Sequence, residues 1–310
     1  LDIANTLAQT SGWPLKPPVR VLTFRLGAHY HEPMSETLLS QIEAQGYYLR
    51  PAERVALRAA SALPGTKSLI IEGPPGTGKT ALGKAVAKAL GASEVFIAGH
   101  HWLADEELFY TVDIGRVALR EMANPEQAYR PGALTRALQE SRTGNSVLIV
   151  DELDKCPERV DALLLEFLQA ARVIDPWGRP VTGEPANLWV FITSNGLRPL
   201  SEPLLRRAFR LQQTYLPVGV EARLLREQTG ANRDAVRIVL SLAKAIREKG
   251  ASSPSAQEMT NLLSVIHVAE NEADAATLIQ GWLIKNPEDL DAIGGDGGLK
   301  AAARKLVTRQ

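Results

Sequence analysis

The sequence predicts an α/β protein: a three-layer core around a parallel sheet, followed by a C-terminal all-α domain. Two observations carry that prediction. Between about residues 47 and 217, short continuous apolar runs alternate with apolar residues at helical spacing. After Pro217 the runs stop, and only the helical spacing continues. With 310 residues, 45% of them apolar, the chain has enough material for two such cores.

Residues 1–46 read as an N-terminal arm or small appended element. Pro14, Pro17 and Pro18 interrupt any long helix there, leaving a short strand over 19–24 and a helix over 35–45. The α/β domain is assigned to 47–217 and opens with a helix over 51–62. Strands follow over 68–72, 95–98, 146–150 and 188–193, each a continuous apolar run expected to be buried on both faces. Between them lie helices over 81–90 and 157–172. The all-α domain is assigned to 218–310, with helices over 219–228, 232–248, 255–270 and 273–284. Gly250 and Pro254 mark a break between two of them.

Composition removes several function classes. The 35 basic and 35 acidic side chains cancel, which argues against a dedicated nucleic-acid binder. A single cysteine, Cys156, excludes an internal disulfide framework and fits a reducing compartment, so a cytoplasmic location is expected. There is no run of about 18 apolar residues, so no membrane insertion is expected. The opening Leu1-Asp2-Ile3 has neither the basic flank nor the apolar stretch of a signal peptide. It also lacks Met, so a longer native N-terminus is anticipated.

The strongest motif is Gly73-Pro74-Pro75-Gly76-Thr77-Gly78-Lys79-Thr80, set between a predicted strand and a predicted helix. This pattern identifies a phosphate-binding loop, and hence a P-loop NTPase. Small residues let successive N–H groups turn toward phosphate, and the helix N-terminus adds its partial positive charge. Lys79 is placed to reach the β/γ oxygens, and the Thr80 hydroxyl to ligate Mg²⁺. The chain contains no Asn/Thr-Lys-x-Asp guanine-reading motif, so ATP is the expected nucleotide.

Asp151-Glu152 ends a predicted strand, where open α/β sheets place their ligands. An acidic pair there also suits a plain helix N-terminus. With the phosphate loop on the same sheet, Asp151 is expected to hold the Mg²⁺ hydration shell and Glu152 to act as general base. Asn195 ends the next strand and is expected to orient the attacking water, although Asn is also a common turn residue. Asp154 and Lys155 read as polar helix-start residues, and Cys156 as a small one. His100-His101 lacks a third ligand and is not expected to bind metal.

Leu204-Leu205-Arg206-Arg207-Ala208-Phe209 follows the Asn195 strand. Together with the loop and acidic pair, this arrangement resembles the AAA+ family. The resemblance implies an arginine that reaches a neighbour's nucleotide. Arg207, ten residues before Pro217, is preferred over Arg206.

Over most of residues 47–295 the chain looks most like MoxR-type ATPases. The stretches that carry this are Pro51-Ala52-Glu53, Arg130-Pro131-Gly132-Ala133-Leu134, Ile192-Thr193-Ser194-Asn195, Ser253-Pro254-Ser255-Ala256-Gln257-Glu258 and Lys285-Asn286-Pro287-Glu288-Asp289-Leu290. Residues 103–131 and a hairpin over 173–187 fit the two insertions typical of that clade, which face the pore or a partner. Trp102 then either faces the pore or packs. One position departs from the family: the lid stretch that usually offers an arginine to nucleotide has Gln257, which leaves Arg237 or Arg247 as substitutes.

The resemblance implies a homo-oligomeric ring, expected to be hexameric, that remodels or activates a protein partner or complex, such as a von Willebrand A-domain protein. Two alternatives share the same engine. One is a nucleic-acid-dependent motor or regulator, disfavoured by neutral charge. The other is a nucleotide-gated scaffold in a larger defence or injection assembly.

Overall fold

The computed structural model describes residues 36–119 and 124–308. The strand expected over 19–24 lies outside them. A five-stranded sheet organises the first part of the chain. Its strands are β1 (Lys67–Glu72), β2 (Ser93–Ala98), β3 (Ser146–Asp151), β4 (Leu188–Ser194) and β5 (Phe209–Gln212), in the spatial order β2-β3-β4-β1-β5. Every neighbouring pair is parallel.

Alternation along these strands divides the core in two. Leu69, Ile71, Val147, Ile149, Trp189 and Phe191 pack on one face with helices α1 (Glu36–Ala44), α2 (Pro51–Ser61) and α3 (Lys79–Ala89). Ile70, Leu148, Val150, Val190 and Ile192 pack on the other, with helices α4 (Ala133–Ser141) and α5 (Arg159–Ala170). Because both faces are covered, β1, β3 and β4 read as unbroken apolar runs. Helix α1 contributes Leu39 and Ile42 to the first of these cores.

Two strands differ from the sequence reading. β2 lies at an edge and is not buried throughout: Val95 and Ile97 point inward, while Phe96 is 40% exposed beneath the Lys84 ammonium. The opposite edge, β5, was not expected, because in Phe-Arg-Leu-Gln only Leu211 is buried. The described part of the first insertion, residues 103–119 and 124–131, contains a short helix, an antiparallel pair (Tyr110–Val112 with Tyr129–Pro131) and a helix over Ile114–Leu119. Residues 172–182 form a second hairpin, whose turn is held by Asp175 accepting from the Trp177 and Arg179 N–H groups.

Beyond Pro217 the described structure is helical: α6 (Val218–Thr229), α7 (Arg233–Lys249), α8 (Ala256–Val265), α9 (Glu272–Leu283), a short helix over Pro287–Ala292, and α10 (Gly295–Val307). These helices share a third core, which includes Val239, Ile246, Leu262, Ile279 and Leu299. α8 is shorter than expected. It gives way after Val265 to a 3₁₀ turn over Ile266–Val268, and Asn271 then caps α9. No described helix is long and apolar enough to cross a membrane.

Candidate nucleotide site

The C-terminal ends of β1, β3 and β4 and the start of α8 surround a cavity of about 880 Å³, within the usual range of small-molecule pockets. The loop Gly73–Gly78 forms its floor. Gly76 and Gly78 have φ of +75° and +95°, a region L side chains rarely adopt. At Gly73 (φ +154°) a Cβ would fall 2.1 Å from the Gln213 carbonyl oxygen, so only glycine fits. Gly78 stands at the N-cap of α3 without any side-chain cap, which leaves the first-turn N–H groups free for an anion.

Lys79 is buried, and its Nζ donates to the loop's own Gly73 and Pro74 carbonyls at 2.8 and 2.7 Å. Burial pushes its ammonium below the usual lysine range, against the opposing pull of Asp151, Asp154 and Glu152.

Thr80 Oγ1 and Thr193 Oγ1 both donate to Asp151 Oδ1, at 2.5 and 2.7 Å. This joins the loop to the ends of β3 and β4 and gathers hydroxyl and carboxylate oxygens, the donor set a hard cation such as Mg²⁺ takes. An uncapped helix start, a glycine cradle and these oxygens together fit a Mg²⁺-bound nucleotide polyphosphate.

Glu152 has a left-handed backbone, φ 53°, at a cost of about 1–3 kcal/mol for a side-chain-bearing residue. Its N–H donates to Thr193 Oγ1 at 2.8 Å. Gly99 makes this turn feasible, since a Cβ there would lie 2.3 Å from the Glu152 carbonyl oxygen. Asn195 Nδ2 donates to Glu152 Oε1 at 2.8 Å, and Lys155 Nζ to Oε2 at 2.6 Å. That hydrogen bond also raises the Lys155 ammonium.

Asp154 and Lys155 are thus more than helix-start residues. Buried Asp154 accepts from the Asn195 and Leu197 N–H groups, both at 2.9 Å, and fixes the loop after β4.

The cavity brings together the loop, Thr80, Asp151, Glu152 and Asn195, but neither Arg206 nor Arg207. Arg206 is exposed and pairs with Glu202 at 3.4 Å. Arg207 is exposed too; with the Gln169 amide oxygen turned toward it, Gln169 accepts from its Nε and Nη2 at 3.0 and 3.1 Å. The two proposed substitutes for the lid arginine are also elsewhere. Arg247 pairs with Glu221 at 2.9 Å and stacks on Tyr215, while Arg237 pairs with Asp234 at 2.9 Å.

Sequence reading also missed a network beneath the loop. Arg50 donates to the Thr77 and Thr214 carbonyls at 2.8 and 2.9 Å and pairs with fully buried Glu53 at 2.6 Å. Gln213 donates to Glu53 and Tyr47 at 2.7 and 2.9 Å. Burial, with the adjacent Glu53 charge, raises the Tyr47 hydroxyl far above its ordinary value, so it stays neutral.

Residues 68–208 match the family described as AAA domain (dynein-related subfamily). That match starts on β1 and runs through the loop, the acidic pair and Asn195 as far as Arg207. Over that stretch the chain is similar to AAA domains. A mitochondrial Lon protease homolog of Yarrowia lipolytica (strain CLIB 122 / E 150) is 30% identical to the chain over 164 residues, 49% of this chain and 13% of that protein. The ATP-dependent zinc metalloprotease FtsH of Mesoplasma florum is 38% identical over 88 residues, 28% of this chain and 11% of that protein.

The chain therefore spans only a small part of these curated relatives. Among solved structures, the closed state of Hsp104 with ATPγS and FITC casein covers 74% of this chain and 46% of its own, at 18% identity and a TM-score of 0.51. The shared feature is the P-loop AAA+ fold: a five-stranded parallel sheet flanked by helices, with a C-terminal helical region.

Proposed function

We propose that the chain binds ATP with Mg²⁺ and hydrolyses it. The observation that carries this is the single cavity in which the glycine loop, the Thr80–Asp151–Thr193 oxygens and the Asn195–Glu152 pair converge. In this reading residues 73–79 cradle the phosphates, with the Lys79 ammonium leaving the loop carbonyls for phosphate oxygens. Thr80 and Asp151 hold the metal, which when bound draws charge from the phosphate oxygens. Asn195 orients water, and Glu152 takes its proton on a carboxylate oxygen.

The finer reading is a homo-oligomeric ring of MoxR type, acting on a protein partner of which a von Willebrand A-domain protein is one class. The exposed Arg207, outside its own chain's cavity, supports a site completed by a neighbour. The two insertions support a partner surface, since Arg179 joins them. It pairs with Asp175 at 2.7 Å and Glu126 at 3.0 Å and lies 4.9 Å from the Trp177 ring centre, and Tyr129 packs edge-on against Trp177. Trp102 is 87% exposed and stands outside the core clusters of the described residues.

The test is binding of a fluorescent ATP analogue and release of phosphate, with protein and DNA compared as stimulants. Lys79→Ala should weaken binding by about 100-fold or more, since a charge-assisted contact and the buried loop cation are both lost. Undiminished affinity would refute the nucleotide assignment, and stimulation by DNA alone would refute the protein-partner reading.

A further inference from the structure

The side of the cavity facing the helical region is built around Glu258. This residue is the third of α8, and its Oε2 accepts from the Ser255 N–H at 2.7 Å while the Ser255 hydroxyl accepts from the Glu258 N–H at 3.2 Å. The reciprocal pair satisfies two donors at the helix start. Ser255 in turn presses on the phosphate loop, since a Cβ on Gly76 would meet Ser255 Cβ at 2.5 Å. The other Glu258 oxygen is ion-paired with Lys285 Nζ.

Lys285 follows α9 and lines the same cavity as Lys79, Asp151 and Glu152. Its backbone is fixed as well: the Lys285 N–H donates to Asp289 Oδ2 at 3.0 Å. Burial alone would raise the Glu258 carboxyl, but hydrogen bonds from Lys285 and Ser255 outweigh it and hold it below the usual range, so this carboxyl is ionised at neutral pH.

The charge balance of this cavity points to a task for Lys285. Its lining carries two cations, Lys79 and Lys285, against three carboxylates, Asp151, Glu152 and Glu258. A polyphosphate still adds net negative charge after one Mg²⁺ is counted, which favours a second ammonium group beside Lys79. Lys79 belongs to the loop. Among the described residues lining the cavity, Lys285 is the cation that the helical region brings, because Gln257, at the start of α8, is a neutral amide that donates to Asn261, and Arg247 and Arg237 are committed elsewhere. A lysine ammonium has three donors, and Glu258 takes one, so Lys285 can serve Glu258 and a phosphate oxygen together.

Resting on the nucleotide reading above, we propose that Lys285 is the helical region's contact to the outermost phosphate, held in position by Glu258. The contact distinguishes a triphosphate from a diphosphate and ties the helical region to the core only when the triphosphate is bound. Glu258 is a positioning residue, and Lys285 a binding one.

The test compares wild type, Lys285→Ala, Lys285→Arg and Lys79→Ala by anisotropy of fluorescent ATP and ADP analogues with Mg²⁺. Hydrogen exchange of residues 250–292 is followed in parallel. Loss of one charge-assisted contact should weaken ATP by about 10- to 100-fold in Lys285→Ala and leave ADP within about threefold. Lys285→Arg should recover most of the ATP affinity. ATP should protect residues 250–292 more than ADP does in wild type, and equally in Lys285→Ala.

Equal weakening of ATP and ADP, or none, alongside lost binding in Lys79→Ala would overturn the role of Lys285 and leave the nucleotide site standing. Normal binding in Lys79→Ala would overturn both. Thermal unfolding identifies a misfolded Lys285→Ala chain, and in that case Lys285→Gln, which keeps the stem and a donor without the charge, must show the same ATP-selective loss or the proposal fails.

Discussion

Asn195 and Lys155 grip Glu152 from opposite sides, at 2.8 Å on Oε1 and 2.6 Å on Oε2. A carboxylate with both oxygens occupied by donors is oriented, but it must release one donor to take a proton from water. Glu152→Gln keeps the shape and removes the basicity. ATP affinity should stay within about threefold, while phosphate release falls by about 10²- to 10⁴-fold. Turnover close to wild type would mean that another group is the base.

The elements that announced themselves in the sequence are those whose signal is local. The glycine loop, the acidic pair and three apolar strands needed only neighbouring residues, and burial on both faces of β1, β3 and β4 left their runs unbroken. Elements that depend on distant partners were silent. Nothing around Arg50 signals that Thr214, 164 residues later, will accept its hydrogen bond. α10 begins among Gly294, Gly295, Gly297 and Gly298, which disfavour helix, and forms because Leu299, Ala302, Ala303 and Leu306 are buried in the third core. Lys285 enters the cavity only through the fold of the helical region.

The network beneath the phosphate loop should be costly to break. Arg50→Met leaves the Glu53 carboxylate, which is fully buried, without its cation. The expected loss is about 3–5 kcal/mol, or about 5–8 °C in Tm for a protein of this size. Adding Glu53→Gln should recover part of it, because the unpaired charge is then gone. A strictly additive double mutant, measured by thermal unfolding, would show that the two side chains do not act as a pair.

Asp289 gives the helical region a dependence on acid. It is fully buried, and its two oxygens accept from the N–H groups of Ala251, Ser252, Lys285 and Asn286 at 2.9–3.1 Å. Burial raises its carboxyl, but these hydrogen bonds prevail and hold it below the ordinary aspartate range. Its folded value is the lower one, so its stabilisation is complete above the unfolded value near 4 and is lost as pH falls through the folded value. Asp289→Asn should cost about 2–4 kcal/mol at pH 7 and less at pH 3, since the amide can accept through only one atom. An equal cost at both pH values in urea titrations would refute the assignment.

Arg207 tests assembly and chemistry together. Its side chain lies on the surface near Gln169 and outside its own chain's cavity, as a residue serving a neighbour would. If it acts across an interface, Arg207→Ala should bind ATP within about threefold of wild type and lose about 10³-fold or more in hydrolysis, because its charge matters chiefly in the transition state. Glu152→Gln would be inactive for a different reason, its site lacking the base. In a mixed assembly some sites would combine an intact Glu152 from one subunit with an intact Arg207 from the next. The mixture should therefore hydrolyse ATP faster than the two mutants summed, and only at concentrations where mass measurement finds both in one particle. An arginine acting within its own chain allows no such rescue, because every subunit then carries one fatal defect. Mixed particles without recovered activity would place Arg207 outside the neighbour's site.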